Sequence, residues 1–302
     1  MILKFYRFIT QMIAVFVAII LLISLPFLFG RKPDGQEFSF QPSAFWERIV
    51  NTFDQFFHLN SIEYIHVAQA TGEVTRRALF PDILNPYFYS LTLLFIAFCI
   101  ALIVATLFGF MYFLASTRWK RITNSVLFVL ESIPDIMIMI CLQLFFIWIF
   151  KKTDILMFRI ANFNEKRAYV IPIICLCILP TIQLFRMFIA CLDDEKTKPY
   201  VEVVRGKGFS HAYIMYVHLF RNVLIHMFHH SKTIFLFMLS NLLILEIIFN
   251  MNGVMNALID LGKYSPTGTI VVLVMIFFPF YFFFAIGSIF IKRISKESEG
   301  QH

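Results

Sequence analysis

Long apolar segments alternate with shorter polar ones along the chain. Six segments are long enough and apolar enough to cross a bilayer, which takes about 20 helical residues. The first begins after Lys4 and Arg7, but its apolar run is too long for a signal peptide and no small-residue cleavage site follows, so we expect a retained anchor. The pattern predicts an all-α membrane protein with six spans, at roughly 8–29, 89–115, 124–150, 169–191, 230–250 and 268–291.

The polar segments divide the chain into three expected regions. We expect an N-terminal anchor span over 1–30, a polar segment outside the membrane over 31–88, and a five-span core over 89–295. Within the outside segment, four apolar residues recur at helical spacing and predict an amphipathic helix: Phe45, Ile49, Phe53 and Phe57. This helix either rests on the membrane or the spans, or offers a docking surface to an extracellular partner.

Composition and charge support the membrane assignment and suggest an orientation. Hydrophobic residues make up 59% of the 302 residues and charged residues only 15%, too few to cover a soluble protein of this size. With both termini in the cytoplasm, the inner segments carry the larger excess of Lys and Arg. One basic loop, Lys151 to Arg167, opposes this orientation. Because most of the excess Lys and Arg lies in the inner segments, we attribute the net charge of +7 to membrane orientation and not to nucleic-acid binding.

A second polar segment, over 192–229, contains the sequence YVEVVRGKGFS at 200–210. It predicts a helix, a turn and a second helix across the ends of the spans. The acids at 193–195 suit the start of the first helix through its dipole. Gly206 and Gly208 would end that helix, and Ser210 would cap the next one.

Ionisable residues inside predicted spans are costly and are candidates for function. Glu131 and Asp135 lie four apart, on one face of the third span, and Pro134 between them would kink the helix. We expect Glu131 to pair structurally with Arg186 of the fourth span. Asp135 would lie near the midplane, where it either lines a translocation path or takes part in packing. Glu131 is also a candidate for the path, and Glu246, near the outer end of the fifth span, is the third.

The order of several motifs resembles that of permease subunits of ABC importers, in the oligopeptide, dipeptide and nickel subfamily. The similarity runs over roughly 85–295. Glu202-Val203-Val204, three residues and Gly208 have the spacing of the family's EAA loop, although two valines replace its alanines. The other matches are Ser90-Leu91, SIP at 132–134, His218, RNVLI at 221–225 and EIIFNMNG ending at Gly253. His226 stands where a proline is usual, and GRKPDGQ at 30–36 replaces another expected segment.

The resemblance implies a type I importer fold with a coupling helix that contacts an ATPase. Its contact residues would be Glu202, Arg205, Gly208 and Phe209, supported by Arg221 and Asn222, while Pro134, Arg186 and Gly253 would be structural. It also implies a second permease, two ATP-binding subunits, an extracellular solute-binding protein and a peptide substrate. ATP and Mg²⁺ would bind to the partner ATPases, because this sequence has no phosphate-binding loop and needs no cofactor of its own.

Other functions remain open at this point. An ATP-independent secondary transporter or channel would use membrane carboxylates but should show inverted repeats, and none is evident. A sensor could keep the coupling loop without transport, and a nickel complex is the alternative substrate within the same family. An enzyme is not favoured, because no clustered catalytic residues are visible. Five cysteines lack metal-ligand spacing. Four histidines also indicate packing rather than a metal site: His218, His226, His229 and His230.

Overall fold

The computed structural model describes residues 2–31, 38–58, 62–67, 74–153 and 167–299. The N-terminal third mixes helices with two short antiparallel hairpins. Its elements are α1 (Ile2–Ser24), a 3₁₀ turn (Leu25–Leu28), β1 (Phe29–Arg31), β2 (Phe38–Phe40), α2 (Pro42–Phe57), β3 (Glu63–Val67), β4 (Val74–Ala78) and α3 (Leu79–Asp82).

The rest of the described chain is helical. Its elements are α4 (Leu84–Leu114), α5 (Thr117–Glu131), α6 (Asp135–Thr153), α7 (Val170–Lys196), α8 (Pro199–Gly206), α9 (His211–Tyr213), a π-helical turn (Ile214–Leu219), α10 (Phe220–Ile248), α11 (Val254–Tyr264) and α12 (Pro266–Glu299).

Six helical segments in the described chain are long and apolar enough to cross a membrane, which confirms the predicted number. They are Ile9–Leu28, Leu84–Leu114, Asp135–Thr153, Val170–Lys196, Phe220–Ile248 and Pro266–Ile291. Helices suit this role because their backbone hydrogen bonds are satisfied within the segment. The chain is therefore an all-α membrane protein in its spanning part.

The prediction of one kinked helix over 124–150 is wrong. The helix stops at Glu131, and a new one starts at Asp135 after a short break at 132–134. Pro134 carries no amide hydrogen and disfavours helical geometry in the residue before it. Only α6 is a candidate span, while α5 is an amphipathic helix that carries Arg118, Lys120 and Arg121.

The fifth span is longer than predicted. Helical structure continues without a gap from His211 through the π-helical turn into α10. The second helix expected for the 192–229 segment is thus an extension of the span, and only α8 is a separate helix. Apolar residues at Ile214, Met215 and Leu219 are buried and continue the apolar face of α10 back to this turn, which explains the extension.

The chain divides into two compact units. The first comprises residues 1–89 and 253–289. The predicted amphipathic helix is confirmed as α2, which packs on α1 through Phe16, whose ring centroid lies 4.7 Å from that of Phe56. This contact supports the interpretation in which α2 rests on a span. In the same unit, the hydroxyl of Tyr87 donates to the carbonyl of Met275 in α12 at 2.8 Å.

The second unit comprises residues 90–252 and 290–302. Its core forms mainly between α7 and α10, with α4 packed against both. The rings of Phe98 in α4 and Phe235 in α10 meet edge to face at 5.1 Å. Gly109 of α4 lies directly over the buried ring of Phe188 in α7, so a side chain at this glycine would overlap the ring.

Replacing Gly109 by alanine should therefore destabilise the protein. Overpacking a well-filled core costs about 1–3 kcal/mol, so Gly109→Ala should lower the melting temperature in detergent. Gly262 in α11 is the matched control, because a Cβ there would meet nothing within 4 Å. Gly262→Ala should leave the melting temperature unchanged or raise it. Equal melting temperatures for the two variants would contradict the close helix contact.

Candidate functional site

Helix α8 presents one face to the surroundings and buries the other. Pro199 occupies its first turn, where its fixed backbone angle suits helix initiation. Val201 is fully buried and Val204 is packed against the same core. Glu202 and Arg205 are exposed, and Val203 is 59% exposed. The exposed face of α8 therefore presents one aliphatic side chain beside two charged ones.

The turn after α8 has the predicted form. Gly208 has a φ of +79°, a conformation that residues with a Cβ rarely adopt, and its amide donates to the Arg205 carbonyl at 2.9 Å. The expected cap is confirmed, since Ser210 Oγ accepts from the amide of Tyr213 at 3.3 Å. Phe209 is 44% exposed and its ring stacks on Tyr213 at 4.7 Å. The turn therefore holds an aromatic ring beside the exposed face of α8.

The three acids before α8 do not start a helix. Asp193, Asp194 and Glu195 lie in the last turn of α7, which continues to Lys196. Negative charge is unfavourable at a helix C-terminus, so these acids need cations nearby. Asp193 pairs with Lys196 at 3.1 Å. The prediction failed because the apolar side of α7 extends through Leu192 and keeps the helix going.

Glu195 is the centre of a buried polar cluster that the sequence analysis missed. Its side chain is 1% exposed. Its carboxylate accepts hydrogen bonds from Lys198 Nζ at 2.5 Å, Tyr200 Oη at 2.7 Å and Asn222 Nδ2 at 2.8 Å. Asn222 Nδ2 also donates to Tyr200 Oη at 3.3 Å. We call these four residues the Glu195 cluster.

The Glu195 cluster joins three elements. Glu195 lies in the last turn of α7, Lys198 and Tyr200 flank the first residue of α8, and Asn222 lies in the first turn of α10. Burial and the hydrogen bond to Glu195 raise the pKa of Tyr200 well above its usual value. Its hydroxyl therefore keeps its proton and stays a donor. The only local sign of this cluster in the sequence was a Lys three residues after Glu195. The contact with Asn222 joins residues 27 positions apart, so no short-range sequence pattern could predict it.

The two predicted residues at the start of α10 take different positions. Arg221 is exposed, as expected for a contact residue. Asn222 points its amide into the Glu195 cluster instead. His226 Nε2 lies 3.9 Å from the Glu195 carboxylate. Within the described residues no group of three potential metal ligands occurs, and the side chain of His218 lies outside those described.

The predicted contact between Glu131 and Arg186 is confirmed. Arg186 Nη1 lies 3.3 Å from Glu131 Oε2, which links the end of α5 to the middle of α7. Arg186 also lines a cleft of about 400 Å³ between these helices, together with Asn124 and Asp193. Each charge thus has an opposite partner. The prediction that Glu131 lies inside a span is wrong, however, because α5 is not among the candidate spans.

The placement predicted for Asp135 is wrong. It occupies the first turn of α6, so it lies at an end of this span and not near its middle. It also shares no helix face with Glu131, because the two residues belong to different helices. A carboxylate in a first turn is favoured by the helix dipole. Pro134 lies in the break between the helices, and its carbonyl accepts the amide of Ile138 at 3.2 Å.

The last two predicted residues lie around the end of α10. Glu246 is fully buried, two residues before the helix ends, and accepts a hydrogen bond from Ser90 Oγ of α4 at 2.6 Å. Ser90 opens the Ser90-Leu91 motif and is itself buried. Gly253 has extended geometry just before α11, and its carbonyl accepts the amide of Ala257.

Comparison with known families identifies the class of protein. Residues 105–296 match the family described as binding-protein-dependent transport system inner membrane component. The chain belongs to this family. It is thus a transport subunit of the ABC importer class and not an enzyme, and in general terms such a subunit has an ATPase and a binding protein as partners.

Among solved structures, the crystal structure of an amino acid ABC transporter with histidines has a similar fold. The TM-score is 0.54 at 16% identity, and the match covers 70% of this chain and 94% of that one. At this identity the likeness concerns the fold, which agrees with the expected type I permease architecture. A search of curated protein sequences found no match.

The ion pair between Glu131 and Arg186 should act structurally. Replacing either residue alone with Gln should lower the melting temperature, because it leaves the other charge without its partner. The charge-swapped double variant, Glu131→Arg with Arg186→Glu, should recover most of the loss. Because both side chains are partly exposed, the coupling energy should be about 0.2–1 kcal/mol. Additive losses in the double variant would contradict pairing.

The turn at Gly208 should tolerate no side chain without strain. Gly208→Ala should cost about 1–2 kcal/mol, because its left-handed backbone brings a Cβ too close to the next carbonyl oxygen. Hydrogen exchange of the peptide over 199–213 should become faster. Gly206→Ala is the control, since both glycines have open space around them and only Gly208 has positive φ. Equal exchange in both variants would contradict a backbone requirement at 208.

Proposed function

We propose that this chain is the permease of an ATP-driven importer in which α8 is the coupling helix. The observation that carries the proposal is the exposed face of α8, where Glu202, Val203 and Arg205 lie beside Phe209. The spacing of Glu202 and Gly208 has its counterpart in the family's EAA loop. An exposed aromatic ring on a short, tightly held turn suits insertion into a cleft of an ATPase.

The partners follow from this assignment. The chain pairs with a second homologous permease, and the two hold two ATPase subunits, which bind ATP and Mg²⁺. The resemblance to this importer family implies a bacterial plasma membrane, and the distribution of Lys and Arg supports placing both termini and α8 on its cytoplasmic side. The segment over 31–88 then faces outward, where the solute-binding protein docks.

We propose peptides as the substrate class. The support is the order of YVEVVRGKGFS, RNVLI and EIIFNMNG, which resembles the peptide and nickel subfamily. Free amino acids are the second class to test, because the similar solved structure is an amino acid transporter. A nickel complex is a third, but the described histidines form no three-ligand group that would support it.

In this proposal, the acids considered for the translocation path have two different roles, contact with the substrate and packing between helices. Asp135, at the start of α6, is only partly buried and is the candidate to meet a substrate ammonium group. Glu246 is enclosed by Ser90 and the surrounding helices, so a packing role fits it better than contact with substrate.

Co-purification from the native membrane tests the coupling assignment. The wild-type chain, tagged and solubilised in mild detergent, should retain an ATPase. Phe209→Ala should weaken this association by more than about tenfold, because hot-spot aromatic residues contribute about 2 kcal/mol or more. Glu202→Ala should weaken it in the same direction.

Glu47→Ala in α2 is the control, since it removes an exposed glutamate from a helix remote in sequence from α8. It should retain the ATPase at the wild-type level. A well-folded wild-type chain that brings down no ATPase would refute the proposal and favour an ATP-independent transporter.

A further inference from the structure

We propose that Glu195 is the positioning residue that makes α8 move together with α7 and α10. This inference rests on the proposed function, because it assumes that α8 receives the movement of an ATPase. It assigns the transmission of that movement to a buried carboxylate, whereas the motif residue Glu202 lies on the exposed face.

Helix α8 cannot hold its position alone. It has only eight residues, and isolated helices of two turns are unstable in water. Tertiary contacts must therefore fix it. Val201 provides an apolar contact, packed in the same core as Met215, Leu219 and Val223. Apolar contacts are non-directional, so they orient the buried face of α8 but limit small rotations less sharply than hydrogen bonds do.

The hydrogen bonds of the Glu195 cluster restrict the rotation of α8 about its axis. Hydrogen bonds require donors at defined angles, and here they reach one carboxylate from two sides. Tyr200 donates from the first turn of α8, and Asn222 donates from the first turn of α10. The bond between Asn222 and Tyr200 closes a triangle, so α8 cannot rotate without distorting its contacts with both neighbours.

Burial makes this link stiff. A carboxylate that is 1% exposed has no water to replace a lost donor. If Tyr200 or Asn222 withdrew while Glu195 stayed buried, the carboxylate would lose a donor that it needs, which is among the costly changes in a protein interior. The three elements therefore move as one body, and a push on the exposed face of α8 reaches two spanning helices.

The test measures transmission without needing the substrate. The complex with its ATPase is purified from the native membrane. Hydrogen exchange is then compared between the nucleotide-free state and a state trapped with ATP, Mg²⁺ and vanadate. In the wild type, trapping should change exchange in α8, at the end of α7 and at the start of α10. In Glu195→Gln the change in α8 should persist, and the changes in α7 and α10 should fall about fivefold or more.

Three further variants separate positioning from folding. Asp194→Asn removes an exposed charge next to Glu195 and should behave as wild type. Tyr200→Phe removes one donor but keeps the ring and the Lys198 pair, so it replaces Glu195→Gln if that variant fails to assemble. Glu195→Gln with Asn222→Asp returns a carboxylate to the triangle from the α10 side, and it should restore transmission.

The outcomes are distinguishable. If Glu195→Gln and Tyr200→Phe both transmit as wild type, the inference is overturned while the proposed function stands. If wild type retains no ATPase, or trapping changes exchange nowhere, the proposed function fails and takes the inference with it. Loss of transmission in Glu195→Gln with ATPase retained, and recovery in the double variant, would support Glu195 as the positioning residue.

Discussion

Backbone polar groups have no water to bond to inside a bilayer, and each one left unpaired costs several kcal/mol. Long helices meet this requirement within the spans, so unpaired backbone groups are expected where a span begins or ends. One such place is the break that precedes the span α6. After α5, the amide of Ser132 donates to the Val129 carbonyl at 3.1 Å, and Ser132 Oγ donates to the Phe128 carbonyl at 2.8 Å. The break at Pro134 is thus closed by local bonds.

The same requirement explains the polar side chains near the end of α10. Gln143 of α6 donates to the carbonyl of Ile248, one of the last in the helix, at 3.0 Å. The amide of Met251 donates to the Glu246 carbonyl at 2.8 Å, and Ser90 donates to the Glu246 side chain. Residues that a sequence motif marks as functional therefore also complete the hydrogen bonding where a span ends.

The 192–229 segment contains an exposed set and a buried set of residues, which the sequence alone does not distinguish. Its outer residues, such as Val203 and Phe209, are free to contact a partner because they carry little of the packing. Its inner residues, centred on Glu195, tie the short helix to two spans.

Hydrophobic runs alone were sufficient to predict six spans, because a bilayer demands about 20 apolar residues whatever the tertiary structure. The turn at Gly208 and the cap at Ser210 were also predictable, since both depend on local backbone chemistry. Pro134 predicted a kink, and its local backbone chemistry produces a full break. The extension of α10 to His211 and the burial of Glu195 were not predictable. Each depends on contacts between residues far apart in the chain, such as Glu195 with Asn222, so only the tertiary structure decided them.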